Sequence, residues 1–395
     1  MKNIKKIIQN NLCLGCGLCE SLIKDCSLEF NDSGFHEPKF KKPIDVYKED
    51  LDKIELICPS LNVNISNSSN NNLLWGNIES IHKGYSNNVE IRHKGSSGGV
   101  ITELATSLLQ SGSIDSVIQI GANKEMPIKN SFFINSKVKE VLHCAGSRYS
   151  PASLLSNIQY ELKKNEKFLI IGKPCDISAV NNYLKLNSEF KEKIVCTISF
   201  FCAGTPSQNA TYELANNLGV KDISTVVNFN YRGSGWPGEV QIETKEGYKN
   251  SCSYEDSWGK LLGRNLNKRC KLCPDGIGLE ADIVCADAWE SNNGYPDFDN
   301  KPGYSLVIAR NDKGNKILQN LLERKRITLE DIDVNLLNQI QPYQWHRIVY
   351  VISRIFGARL KGFRFNFSGL NFSRKFFQGS LKGHLQNLIG ILKRV

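Results

Sequence analysis

Short apolar runs of strand length alternate along the chain with stretches in which apolar residues return every third or fourth position. Residues 116–121, 167–172, 193–201, 281–289 and 304–310 read as buried strands, and residues 100–110, the stretch up to Leu162, residues 207–218 and 315–326 read as helices. Strand, helix and strand in succession is what a parallel sheet requires, so the pattern predicts an α/β fold on a central mixed or parallel sheet. Near the front, Leu28 to Phe35 carries an Asn-Asp-Ser-Gly turn between apolar residues and reads as a hairpin. Residues 65–72 are almost wholly Asn and Ser, a linker by composition. The chain therefore divides into residues 1–71, residues 72–333 and a tail over 334–395.

A length of 395 residues allows two or three domains at about 150 residues each, with apolar and charged fractions that predict a sizeable core. No apolar run is long enough to cross a bilayer, and Met1-Lys2-Asn3-Ile4-Lys5-Lys6 leads into a polar segment rather than a secretory signal, which predicts a cytoplasmic protein. In a reducing compartment, 13 cysteines point to metal or redox chemistry rather than disulfides. The formal charge of +10 is carried by the tail. No carboxylate follows Asp333, whereas Arg347, Arg354, Arg359, Lys361, Arg364, Arg374, Lys375, Lys382, Lys393 and Arg394 lie among seven phenylalanines. Such a segment can sit on an anionic membrane surface, peripheral at its inner face, or dock a partner; the alternative is a solvated extension. No motif for nucleic acid accompanies the charge.

The cysteine spacings carry the chemistry. Cys13, Cys16 and Cys19 are each separated by two residues, and the glycines between them let successive sulfurs face one centre, which suits an iron–sulfur cube. The fourth ligand is Cys58 or Cys26; Cys58-Pro59 repeats the Cys-Pro ending of bacterial ferredoxin runs and is preferred. A structural zinc knot accepts the same thiolates. Cys175 and Cys202 each follow a predicted strand, aimed into the crevice where open α/β sheets bind ligands. With Cys270 and Cys273 they make a second four-thiolate site. The rivals there are a nucleophilic Cys175 and an exchange pair at Cys270 and Cys273. Cys196 and Cys285 fall in apolar strands and read as buried thiols, and Cys144 and Cys252 also lack partners at ligand spacing.

Ser96-Ser97-Gly98-Gly99 precedes a helix, where free backbone N–H groups and the helix dipole favour a phosphate; plain N-capping is the alternative. Arg148, Tyr149 and Ser150 can line an anionic ligand. Arg232 and Trp236, in a loop that includes Gly233 and Ser234, can contact a flat cofactor together with Asp287 and Trp289.

Taken in order, the Cys13–Cys19 run, Ser96-Ser97-Gly98-Gly99-Val100, Gly146-Ser147-Arg148-Tyr149, Gly172-Lys173-Pro174-Cys175, Phe201-Cys202, Tyr231-Arg232 with Gly235-Trp236, Cys270-Lys271-Leu272-Cys273 and the Ala281-to-Trp289 strand resemble the beta subunits of coenzyme F-420 (deazaflavin) hydrogenases and dehydrogenases, including bacterial members associated with surface polysaccharide biosynthesis. The resemblance implies a flavoprotein with FAD in the central α/β domain, one 4Fe-4S cluster on Cys175, Cys202, Cys270 and Cys273, and a second on Cys13, Cys16, Cys19 and Cys58 in a ferredoxin-like front segment. It also implies that Ser96, Ser97, Gly98, Gly99, Arg148, Tyr149 and Ser150 line the flavin. Ferredoxin or a reduced deazaflavin would be the electron donor, and a small molecule the substrate. A non-catalytic electron-transfer subunit that docks a partner enzyme, and a zinc-knotted scaffold at the membrane, are the alternatives. The Phe-rich tail is not part of the family pattern.

Overall fold

Val-, Ile- and Leu-rich segments with both faces apolar can only be strands buried between two layers, and they form the centre of the molecule. The computed structural model describes residues 2–66, 68–232, 235–289, 291–292, 295–296 and 302–394. Gly233 and Ser234 of the expected loop lie outside the described residues. The strands used below are β1 (Cys26–Phe30), β2 (His36–Phe40), β3 (Ser80–Ser86), β4 (Ser116–Ala122), β5 (Asn130–Asn135), β6 (Phe168–Ile171), β7 (Ile194–Phe200), β8 (Val226–Asn230), β9 (Val240–Thr244), β10 (Lys249–Cys252), β11 (Ile283–Asp287), β12 (Ser305–Ala309) and β13 (Ile327–Asp331). The helices are α1 (Lys2–Gln9), α2 (Leu18–Leu22), α3 (Lys48–Ile57), α4 (Val100–Gln110), α5 (Pro174–Leu186), α6 (Gln208–Asn217), α7 (Asp312–Glu323), α8 (Pro342–Leu360) and α9 (Leu381–Arg394).

Eight strands make one mixed sheet in the order β13-β3-β12-β11-β7-β6-β4-β5. The middle four, β11, β7, β6 and β4, are parallel, and the outer pairings are antiparallel. Alternation along β6 shows why both faces are dry. Leu169 and Ile171 pack with α4 and α7 through Leu104, Leu108, Leu318 and Leu321, whereas Phe168 and Ile170 pack with Ile177, Val180 and Tyr183 of α5. Cys196 and Cys285 are buried in the first of these layers, as their apolar strands predict. The hairpin near the front is β1–β2, its turn closed by Gly34 at φ 76°. A separate three-stranded sheet, β8-β9-β10, covers α6 beside the main sheet. Its strands, the edge strand β13 and its neighbour β3 were not singled out by the sequence pattern, because their apolar residues are sparse.

Both ends of the chain pack into the body of the molecule. The Asn/Ser-rich stretch marks no break in the packing: Ile65 is buried, its N–H donates to Ser368 O (3.1 Å), and Leu12, Leu51 and Ile54 share one core with Ile170 and Tyr183. The tail is not a solvated extension either. Val351, Ile355, Ala358, Phe363 and Phe365 enter that same core, so part of its apolar content serves packing. Among the described residues no helix is long and apolar enough to cross a membrane.

Candidate functional site

Gly15 and Gly17, at φ 63° and 101°, turn the chain sharply enough to bring Cys13, Cys16 and Cys19 around one point. A Cβ on Gly17 would lie 2.4 Å from Ser156 N, so the turn also needs glycine to approach the body of the protein. Cys58 ends α3, its N–H held by Ile54 O (2.8 Å). These four cysteines line one small cavity of about 20 Å³, closed by Ile4, Ile7 and Leu28. Cys26 starts β1 and is not among the lining residues. Burial pushes Cys13 up to about 12, with Cys58 adding to the rise, and holds Cys16 and Cys19 well above the ordinary thiol range. Four crowded thiols of this kind lose their protons only to a bound cation or cluster. Among the described residues no three His, Cys, Asp or Glu side chains converge closely enough for a single metal ion. Four thiolates facing one small cavity are the donor set of an iron–sulfur cube and equally of a zinc knot.

The second group of cysteines gathers where two neighbouring parallel strands end. Cys175 lies in the first turn of α5 directly after β6; Cys202 lies just past β7, its N–H bonded to Gly276 O (2.8 Å). Cys270 and Cys273 come from a 3₁₀ turn, and Thr205 N–H points at Cys270 Sγ (3.4 Å). Burial raises Cys175 well above the ordinary range and Cys202 to about 12. Cys202 and Cys273 raise Cys175 further, and Cys270 and Cys273 raise Cys202. A nucleophilic thiolate needs the opposite shift, which this burial works against. Cations surround this nest: Lys173, paired with Asp176 at 2.8 Å, and Arg347, which donates to Cys202 O and to Cys270 O (3.1 Å). Gln344 also donates to Cys202 O (3.2 Å).

Arg269 and Asn267 bridge the two nests. Fully buried Arg269 donates from Nε to Ser60 O (2.9 Å) and from Nη2 to Pro59 O (3.3 Å), beside Cys58, while its backbone leads into Cys270. Its charge lowers both Cys58 and Cys273 against the burial that raises them, and it lies over the rings of Phe365 and Phe367 at 5.4 and 5.2 Å. Asn267 Nδ2 donates to Cys13 O (2.9 Å).

Beside the second nest opens a cavity of about 750 Å³, within the ~300–1,000 Å³ usual for small-molecule and cofactor sites. Ser96, Ser97, Gly99, Arg148, Tyr149 and Ser150 line it, and so do Lys173, Asp176 and Cys202. Gly98 does not; a Cβ there would meet Gly84 O at 2.4 Å, so it serves strand packing. Neither serine caps α4. Ser96 Oγ accepts from Ser147 N–H (2.7 Å), Ser97 Oγ pairs with Ser305 Oγ (3.0 Å), and the N-cap is Gly99 with no side-chain bond. Val100, Ile101 and Thr102 line the cavity, so the helix start, with its dipole, faces the space. Arg148 is occupied with the protein itself: Nε donates to Asn130 Oδ1 (2.7 Å), Nη1 to Phe229 O (2.8 Å) and Nη2 to Pro127 O (2.6 Å). That makes it a clamp on the cavity wall.

Arg232 and Asp287 form the wall's buried ion pair, Nη1 to Oδ2 at 2.9 Å and Nη2 to Oδ1 at 3.2 Å; Nη2 also reaches Ser96 O (2.6 Å) and Nε reaches Pro237 O (2.7 Å). Burial works against its charge, but Asp287 outweighs it and raises Arg232. Tyr149, Tyr254, Trp258 and Trp289 give the cavity an aromatic side, Tyr149 meeting Trp258 at 4.8 Å, whereas Trp236 does not line it and packs against Trp289 at 4.9 Å. The tail supplies Gln341, Pro342, Tyr343 and Gln344 to the rim, which no spacing in the sequence announced.

Two family models match the chain. Residues 81–159 match the amino-terminal part of the coenzyme F420 hydrogenase/dehydrogenase beta subunit, and residues 165–335 match the carboxy-terminal part of the same protein. The coenzyme F420 hydrogenase beta subunit of Methanococcus voltae is 23% identical over 269 residues, 66% of this chain and 86% of that protein. The beta subunit of F420-dependent formate dehydrogenase 1 of Methanococcus maripaludis is 25% identical over 197 residues, 50% of this chain and 49% of that one. The coenzyme F420-dependent sulfite reductase of Methanocaldococcus jannaschii is 25% identical over 254 residues, 61% of this chain but only 37% of the relative. A chain in the structure of the F420-reducing [NiFe] hydrogenase complex from Methanosarcina barkeri shares the fold, with a TM-score of 0.54 and 19% identity over 69% of this chain and 90% of that chain.

Proposed function

Because the chain belongs to the coenzyme F420 hydrogenase/dehydrogenase beta-subunit family, we propose that it is an iron–sulfur flavoprotein oxidoreductase passing electrons between ferredoxin or a reduced deazaflavin and a small substrate. Membership supports a redox, electron-transferring role. The proposed cofactors are FAD in the 750 Å³ cavity and one 4Fe-4S cluster in each cysteine nest. FAD bound there would supply the interchange between single electrons and a hydride. In this reading the start of α4 receives the diphosphate, the Arg232–Asp287 pair holds the Ser96 loop in place, and Trp258 and Trp289 flank the flat ring. The observation that carries the reading is that Cys202 of the second nest lies in the wall of the same cavity as Ser96 and Tyr149.

Oxygen-free purification tests it. The expected protein is brown, with a flavin spectrum and about eight irons per chain, as two cubes require; colourless protein carrying zinc would refute it.

The relatives named above include subunits of larger enzymes, which favours a second reading, a non-catalytic electron-transfer subunit that docks a partner enzyme. Turnover of an artificial donor with candidate substrates by the isolated chain separates the two. The proposed setting is the cytoplasm, at the inner face of the membrane, and the proposed pathway class is surface polysaccharide biosynthesis, which rests on the sequence resemblance.

A further inference from the structure

Helices α8 and α9 lie side by side and run in the same direction. Ser353 Oγ meets His384 Nδ1 at 2.8 Å, Arg354 Nε donates to Asn387 Oδ1 at 2.7 Å, and a Cβ on Gly357 would meet Leu388 at 3.1 Å and Ile391 at 3.3 Å. At 3.6 residues per turn, these contacts fix the seam, and buried Val351, Ile355 and Ala358 turn one side of the pair to the core. The same periodicity puts Phe356 and Leu360 of α8 and Leu381, Leu385 and Ile389 of α9 together on the opposite side. All five are exposed, by 53, 60, 77, 57 and 43%. Phe377, 81% exposed, stands just before α9. Arg359 falls on the outer edge of α8, and Lys382 and Lys393 fall on the outer edge of α9. No carboxylate follows Asp333 to oppose them.

We propose that this two-helix face is a docking platform for an anionic lipid bilayer. An apolar face rimmed by cations on both edges is the pattern of helices that lie in the membrane interface: the aliphatic and Phe side chains enter the acyl boundary while lysine and arginine meet lipid phosphates. Ten cations without an acidic residue after Asp333 complement a dense anionic surface, and the five exposed apolar side chains between them need an acyl layer to enter; an anionic bilayer supplies both at once. The platform lies beyond residue 335, where the matched family models end.

The test is co-flotation of the full chain with phosphatidylglycerol-rich vesicles and with pure phosphatidylcholine vesicles. The chain is expected to float with the first and not the second, and high salt should release it. Leu385→Glu with Ile389→Glu should abolish flotation. Lys382→Gln with Lys393→Gln should weaken it by roughly tenfold or more. All four positions are solvent-exposed, and unchanged circular dichroism and iron content verify folding in each variant. The proposal is overturned if the wild-type chain stays with the soluble fraction, if either double variant floats as well as the wild type, or if the Leu385/Ile389 variant instead loses a concentration-dependent dimer that forms without lipid.

Discussion

Replacing Asp287 by Asn keeps the size of the side chain and removes its charge, which isolates the ion pair in the cavity wall. In the wild type the Arg232 side chain is 2% exposed, and its charge is balanced by the Asp287 carboxylate at 2.9 Å. Asp287→Asn leaves the guanidinium buried with no counter-charge, held by the carbonyls of Ser96 and Pro237, the Tyr149 hydroxyl and one amide oxygen in place of a carboxylate. Breaking a buried pair from one side costs about 3–5 kcal/mol. Arg232→Met should cost a similar amount, because it strands the carboxylate and releases Ser96 O. The double variant should lose less than the sum of the two, since neither charge is then left alone. Urea denaturation of the three variants gives the coupling energy, and flavin retained through gel filtration reports the Ser96 loop. Destabilisation of Asp287→Asn by less than about 1 kcal/mol, the level of an exposed pair, would refute the buried-pair reasoning; full flavin retention in a destabilised variant would refute the placement of the flavin.

Cys58→Ser should halve the iron content to about four per chain, whereas Cys26→Ser should leave it unchanged; the reverse result would move the fourth ligand to Cys26. Burial lifts Glu280 to about 7, with Ser178 donating to it. A folded value above the unfolded one means a contribution to stability that is present below pH ~4.5 and lost as pH rises through about 7, on the order of 3 kcal/mol. Urea midpoints measured across that window should fall with rising pH in the wild type and stay flatter in Glu280→Gln; parallel profiles would dismiss the linkage. Truncation after residue 340 removes Gln344 and Arg347, which hold the carbonyls of Cys202 and Cys270, so it should lower iron at the second nest. Truncation after residue 380 should leave that iron in place, and equal loss in both would remove the special role of α8.

Much of the candidate site could be read from neighbouring residues. The glycine-spaced Cys13-to-Cys19 run, the two cysteines that each follow an apolar strand and the Cys270–Cys273 pair are local patterns, and β6 and β7 do pair side by side as their order suggested. The apolar runs likewise identified most of the central sheet, because a strand with two dry faces needs no partner information to be recognised. Several roles could not be read this way. Ser96 and Ser97 looked like caps, yet the serine hydroxyls bond segments about 50 and 208 positions away. Arg148 looked like an anion ligand, and becomes a clamp only because β5 and β8 bring acceptor oxygens to it.

The tail shows the division most clearly. Its charge and phenylalanines were plain in the composition, but whether a phenylalanine packs in the core or faces solvent depends on which helix side meets the sheet. Periodicity, spacing and charge balance are set by residues a few positions apart, and the amino-acid sequence alone determines them. The meeting of Arg269 with Pro59 and Ser60, of Arg232 with Asp287 and of Arg347 with Cys202 joins residues 55 to 210 positions apart. Such contacts carry no local signature, because their partners are selected by strand order and by the burial that leaves a charged group no nearer place to bond.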